Sequence, residues 1–431
     1  MLPTVSDPAS DLRLRVTGGR TLRGRVSMSG SKNASLPVLA ATLLTNCPMR
    51  LTNVPKISDT AVMTEIIRAM GGEAAGGEGV WEIRAIEVTG DVPLELARRM
   101  RASIVLLGAL LARAGEAHLP RPGGDEIGTR RVEQHLRGLR ALGAEIEETD
   151  DAFHAYAPQG LRGTRVLLDL PTVTGTENLM LASATAMGRT EIINAAREPH
   201  VQDLALCLNQ MGARIRGAGS DEIVIDGVSE LDGCQHEVIS DYLEAGTYAM
   251  AAAAAGGDVT LERSRPQDLV HALLKLEQAG VEVETGRDLI RIRRDPDRPL
   301  RGVDLNTWVH PGFPTDLQPQ YLSLMTQADG TTLISEYLYD NRFQQVPDLV
   351  RMGADIRVAG RDAVLRGPAR LRGTTVQSPD IRAGAALVVA ALAAEGTTQI
   401  ERAWHLDRGY EDMVGKLRSL GAAVERAPSA S

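Results

Sequence analysis

Apolar residues recur along this chain at helical spacing in six places. The stretches 64–71, 132–146, 201–215, 267–283, 346–356 and 410–424 each run through aliphatic residues three or four apart, then an apolar residue, a glycine and a short tail. That spacing predicts six amphipathic helices, each burying one face. Gly71, Gly143, Gly212, Gly280, Gly353 and Gly421 suit left-handed helix stops, and tails such as Ala144, Glu145 and Ile146 read as strands.

A second series precedes the first. The stretches 33–44, 102–114, 177–187, 244–255, 317–328 and 381–394 are rich in Ala and Leu and nearly free of charge away from their ends. Helices without a polar face belong in a core. Short strands are expected after them, at 190–193, 258–262, 331–335 and 397–401. One unit is therefore helix, strand, helix, then strand or hairpin, and it recurs six times at a period of roughly 70 residues. The sixth unit stops soon after its tail, while the strand-like segment 12–29 has no helix of its own and is expected to complete it. The fold class is α/β with two domains of three repeats. One is 32–240, carrying the loop 122–131; the other is discontinuous, 1–31 plus 241–431. Chain crossings near 31 and 241 would make a hinge.

Composition narrows the function. Aromatics are 3% of 431 residues, leaving little surface on which bases could stack, and the net charge is −9. Neither suits a nucleic-acid or anionic-membrane binder. The N-terminus lacks a basic region followed by an apolar core, and the apolar runs 248–255 and 383–394 are too short to span a bilayer, so a cytoplasmic protein is expected. Cys47, Cys207 and Cys234 are scattered and the histidines show no ligand spacing, which suggests a reducing compartment and no metal.

Candidate chemistry gathers at the starts of the buried helices. Lys32 and Asn33, Arg101, the run Thr174 to Asn178, Asp241 and Glu244, Asp316, and Asp380 with Arg382 occupy equivalent places in the six units. Helix N-termini attract anions, and Lys32, Arg101 and Arg382 add charge for a small phosphate- or carboxylate-bearing ligand. Arg342 and Arg408, in loops of the last two units, could fork onto its oxygens. Asp316 and Asp380 equally suit helix caps. In the loop 121–135, Pro122, Gly123, Gly124 and Gly128 exclude regular structure around Asp125 and Glu126, with Arg130 and Arg131 following. An acid beside cationic anchors suits proton transfer to a bound anion; the plainer reading is a polar turn before the helix near Val132.

These residues carry a resemblance. Ser-Gly-Ser-Lys-Asn-Ala (29–34), Met-Arg-Ala-Ser-Ile (100–104), Asn-Ala-Ala-Arg-Glu-Pro (194–199), Phe-Pro-Thr-Asp (313–316), Asp-Asn-Arg-Phe (340–343) and Asp-Arg-Gly-Tyr-Glu (407–411) make the chain resemble the UDP-N-acetylglucosamine 1-carboxyvinyltransferase family of enolpyruvyl transferases. The resemblance implies two inside-out α/β barrels and transfer of enolpyruvate from phosphoenolpyruvate to the 3-hydroxyl of UDP-N-acetylglucosamine, releasing phosphate, with no metal or organic cofactor. It implies that Lys32, Arg130 and Arg408 surround the phosphoenolpyruvate phosphate and that Arg342 and Arg382 meet its anionic groups, with Arg101 nearby. Asn33 would touch the sugar, and Asp316 would be the base at its hydroxyl. Arg130, Arg131, Val132, Glu133 and Gln134, with Thr172, Val173 and Thr174, would line the uridine and diphosphate side, and Leu338 belongs to the same binding set. Most of the family has Cys where this chain has Asp125, and that Cys is what the epoxide antibiotic fosfomycin alkylates; the Asp variant also occurs and keeps the acid role. Arg131, Glu133, Gln134 and Leu170 also depart from the usual pattern, which keeps two alternatives open: an enolpyruvyl transferase for another acceptor, or a non-catalytic nucleotide-sugar sensor.

Overall fold

The six glycine stops all lie at φ between +92° and +110°, the left-handed conformation a helix end needs. In the computed structural model, which describes residues 12–129 and 131–428, the outer helices they terminate are Ser58–Ala69, Glu133–Ala141, Pro199–Gln210, Val270–Gln278, Val346–Arg351 and Met413–Ser419. The buried helices are Lys32–Ala41, Leu106–Ala114, Val173–Ser183, Tyr242–Ala255, Gln318–Met325 and Ile381–Ala393. The third was expected at 177–187 but begins four residues earlier. Gly175 and Thr176 did not delay it, because the Thr176 N–H already bonds the Thr172 carbonyl.

The chain divides into two compact units. Among the described residues, one takes 12–29, Glu126–Thr129 and those from Ser240 onward; the other takes the remaining ones between Gly30 and Ile239. Glu126–Thr129 therefore parts from the loop in which the sequence had placed it. The Asp340 carboxylate accepts the Thr129 N–H at 3.0 Å, and Asn341 and Gln344 donate side-chain N–H groups to the Glu126 carbonyl at 3.0 and 2.6 Å.

Each unit contains three sheets among the described residues. In the first, Thr397–Glu401 pairs in parallel with Thr375–Gln377 and antiparallel with Leu12–Thr17, which also pairs antiparallel with Ala423–Pro428. The other N-terminal strand, Leu22–Ser27, lies parallel to Gly257–Glu262 in a different sheet. The N-terminal segment thus serves two sheets, whereas the sequence had assigned it to the sixth unit alone. In the second unit the last strand, Gln235–Glu237, returns to lie parallel to Met49–Thr52.

One hydrophobic core fills each unit. Tyr242–Ala255, Gln318–Met325 and Ile381–Ala393 pack on one another in the first, and Leu106–Ala114 packs on Val173–Ser183 in the second. The last contact depends on Gly108, where a Cβ would fall 2.2 Å from the Asn178 carbonyl oxygen. Gly108→Ala is expected to destabilise the protein by about 1–3 kcal/mol through overpacking. A lowered denaturant midpoint at unchanged m-value checks this.

Candidate active site

The predicted residues fall into two groups, one in each unit. In the first unit, Phe313 is fully buried and anchors the turn Thr315–Leu317, which feeds the helix Gln318–Met325. Asp316 sits in that turn, and the cap position of the helix that follows is Leu317. Its carboxylate lies between two guanidiniums, with Arg342 Nη2 at 2.5 Å from Oδ1 and Arg382 Nε at 3.3 Å from Oδ2. Both arginine side chains are nearly inaccessible, at 2% and 5%, while that of Asp316 keeps 27% exposure. Asp380 caps its own helix, Ile381–Ala393, its carboxylate accepting the Arg382 and Ala383 N–H groups.

Burial alone would lower the pKa of Arg382, but Tyr410, Asp316 and Asp241 outweigh it and hold the guanidinium charged. Arg342 behaves alike, with burial opposed by Asp316, Asp380 and other anionic neighbours. Arg382 lies 5.4 Å over the Tyr410 ring, and Tyr410 is fixed through its hydroxyl by Thr247 and Gln320. Arg408 is buried at the end of the turn Ala403–Arg408, and Leu338 is half-buried.

Glu336 was not found from sequence, where only its place after a strand marked it. It is fully buried, yet both oxygens are satisfied: Thr307 and Thr315 donate hydroxyls, and Leu338 and Tyr339 donate backbone N–H groups. One carboxylate thereby ties the Asp316 turn to the Leu338 loop. Glu244, expected at a helix start, accepts from the Ser29 N–H and from Lys416; its burial still pushes its pKa up to about 7.

In the second unit, Lys32 opens its helix behind the cap Ser31 and meets Asp59 at 2.8 Å. Asn33 beside it is half-buried. Gly123 and Gly124, which exclude regular structure here, also permit close approach. A Cβ on Gly123 would sit 1.8 Å from the Arg98 carbonyl oxygen, and one on Gly124 2.9 Å from the Arg101 Cβ. The loop thus lies on the segment Arg98 to Arg101, and Asp125 follows directly. Arg130 lies outside the described residues. Arg131 and Glu133 are exposed, and Val132, Thr172 and Val173 are half-buried. Gln134 clamps the chain before Thr172, its Oε1 accepting the Asp169 and Leu170 N–H groups and its Nε2 donating to the Leu170 carbonyl.

His135, next to Gln134, was overlooked because a single histidine in a helix carries no motif. It is 2% exposed and bonds Thr174 and Asn178. Burial and then the Arg101 charge lower its pKa to about 3 from an ordinary 6.5. Its neutral form therefore contributes stability that is complete above about pH 6.5 and is lost as pH falls toward 3. His135→Gln, which cannot take up a proton, is expected to lose less melting temperature than the parent between pH 7 and pH 5. Parallel thermal melts across that range test this.

Among the described residues no group of three or more His, Cys, Asp or Glu could hold a metal ion, and no helix is long and apolar enough to cross a membrane. The arrangement provides buried cations around a carboxylate in one unit, and a lysine, an acid-bearing loop and a polar helix start in the other.

Known proteins with this architecture and these motifs give the family. The model for EPSP synthase (3-phosphoshikimate 1-carboxyvinyltransferase) matches residues 16–417. A protein of Sorangium cellulosum named UDP-N-acetylglucosamine 1-carboxyvinyltransferase is 50% identical over 96% of this chain and 98% of its own length. One of the same name from a Caulobacter strain is 45% identical over 96% of this chain and 97% of its own. The crystal structure of the enolpyruvyl transferase NikO from Streptomyces tendae superposes with a TM-score of 0.88 at 28% identity, covering 98% of this chain and all of that one. EPSP synthase from Acinetobacter baumannii shares the fold, with a TM-score of 0.74 at 18% identity over 96% of this chain and all of that one. The chain belongs to the enolpyruvyl transferase family, in its UDP-N-acetylglucosamine 1-carboxyvinyltransferase branch.

Proposed function

We propose that this protein transfers the enolpyruvyl group of phosphoenolpyruvate to the 3-hydroxyl of UDP-N-acetylglucosamine and releases phosphate, in the cytoplasm, as a step of peptidoglycan synthesis. The observation that carries the reading is Asp316 held between the buried Arg342 and Arg382, in a chain half identical, end to end, to a UDP-N-acetylglucosamine 1-carboxyvinyltransferase.

The reaction needs three things. An acid protonates the methylene carbon of phosphoenolpyruvate, which leaves the neighbouring carbon cationic. A base takes the proton of the attacking sugar hydroxyl. Fixed cations hold phosphate and carboxylate in place. The tetrahedral ketal then loses a proton from its new methyl group, back to the carboxylate that delivered it, as phosphate leaves. Asp125 supplies the acid and Asp316 the base. Lys32, Arg130 and Arg408 hold the phosphate, Arg342 and Arg382 the remaining anionic charge, and Arg101 lies nearby. Asn33 meets the sugar. Arg131, Val132, Glu133, Gln134, Thr172, Val173, Thr174 and Leu338 form the nucleotide side.

The ion pairs suggest how Asp316 is released to act. Each guanidinium now engages one carboxylate oxygen. An incoming anion competes for both, leaving an Asp316 oxygen able to accept the sugar hydroxyl. No metal or organic cofactor enters this scheme.

Phosphate release from phosphoenolpyruvate in the presence of UDP-N-acetylglucosamine tests the function; release only with a different acceptor would overturn the assignment. Asp316→Asn keeps an acceptor for the arginines but removes the base. It is expected to cut turnover by about 10²–10⁴-fold while nucleotide-sugar binding changes little. It also removes the counter-charge of two buried cations, so its melting temperature should drop.

Asp125 leads to a separate expectation. A carboxylate is a poorer nucleophile toward an epoxide than a thiolate, so the enzyme should resist fosfomycin. Asp125→Cys should stay active, become inactivated over time and carry one adduct at residue 125 by mass spectrometry. Inactivation of the parent at a comparable rate would count against the placement of Asp125.

A further inference from the structure

The hydrogen bonds around His135 settle the positions of its protons. Asn178 is held on both sides of its amide. Its Oδ1 accepts the Gly108 N–H at 2.6 Å, and its Nδ2 donates to the Ile104 carbonyl at 2.8 Å. A backbone N–H can only donate and a carbonyl can only accept, so the amide has one orientation. Its Nδ2 also lies 3.1 Å from His135 Nδ1, which must therefore accept. In a neutral imidazole the proton is then on Nε2, 3.2 Å from Thr174 Oγ1. Thr174 receives that proton as acceptor, and its own hydroxyl hydrogen is turned away from the histidine.

The surroundings keep this arrangement in place. Gly138, one turn after His135, lets the helix Glu133–Ala141 press onto Val173–Ser183; a Cβ there would lie 2.6 Å from Leu179 Cδ2. His135 is buried, and the charged group acting on it is Arg101, whose guanidinium disfavours a second proton on the ring. Thr174 itself is half-buried in the first turn of an eleven-residue helix, where backbone N–H groups point out of the helix end. A donor hydroxyl, helix-end N–H groups and an arginine within electrostatic reach favour an acceptor-rich anion.

We propose that His135 is a positioning residue which, through its Nε2–H, aims the Thr174 hydroxyl proton at an oxygen of the nucleotide diphosphate. This rests on the reading of Thr172 to Thr174 as the nucleotide side. It adds a donor that works unchanged across neutral and mildly acidic pH, because the histidine that orients it does not take up a proton there.

UDP binding followed by calorimetry tests the donor without requiring turnover. Thr174→Ser should bind UDP within about twofold of the parent, and Thr174→Val about tenfold more weakly, as for a lost hydrogen bond to a charged group. His135→Phe should weaken UDP binding in the parent but add little in the Thr174→Val background. Nitrogen NMR of the parent, which needs no variant to fold, should show a protonated Nε2 and a bare Nδ1 from pH 5 to pH 8. Unchanged UDP affinity in Thr174→Val, no UDP binding by the parent, or a histidine that titrates or carries its proton on Nδ1 would each overturn the proposal. Phosphate release by the parent with phosphoenolpyruvate and UDP-N-acetylglucosamine reports on the function itself, so either claim can fail while the other stands.

Discussion

Two guanidiniums that water hardly reaches need a counter-charge, and Asp316 provides it. A buried cation without a partner would cost several kcal/mol, so the first unit is arranged to keep that carboxylate where it is. Glu336 takes two hydroxyls and two backbone N–H groups to fasten the Asp316 turn. Tyr410, braced by Thr247 and Gln320, gives Arg382 a face to rest on. Asp380 caps the helix Ile381–Ala393, whose second residue is Arg382, and so fixes the start of the helix that carries that guanidinium. In the proposed function the same ion pairs would yield to an anion with oxygens for both arginines.

The second unit solves a different problem with neutral groups. Its helices approach closely because Gly108 and Gly138 carry no side chain where Asn178 and Leu179 need space. Close approach strips water from polar atoms, so each must find a partner inside. Asn178 answers by bonding two backbone groups and one imidazole, and that imidazole bonds Thr174. A polar chain of this kind has one arrangement of hydrogens, and its last member is a hydroxyl at a helix start.

Much was legible in the residue order. Helical and strand periods, the glycine stops and the charge-free helices are local properties, set by 3.6-residue and two-residue repeats and by the backbone freedom of glycine. Lys32, Arg342, Arg382 and Asp316 could be singled out because they recur at equivalent places in similar units, and Asp125 because of the turn residues around it. Roles that depend on one partner were not legible. Glu336, His135 and Gln134 have no motif, and a buried histidine looks the same in sequence as an exposed one.

The chain by itself determined which segments are helices and strands and where the outer helices meet their glycine stops, since these follow from neighbours within a few residues. Tertiary structure alone decided that Leu22–Ser27 joins a different sheet from Leu12–Thr17, that Glu126–Thr129 belongs with Asp340, that Asp316 is an ion-pair partner and Asp380 a cap, and which nitrogen of His135 bears the proton. Apart from the local Asp380 cap, each of these turns on a contact between residues far apart in the chain, where hydrogen-bond satisfaction and loss of water select one partner among many that local pattern would allow.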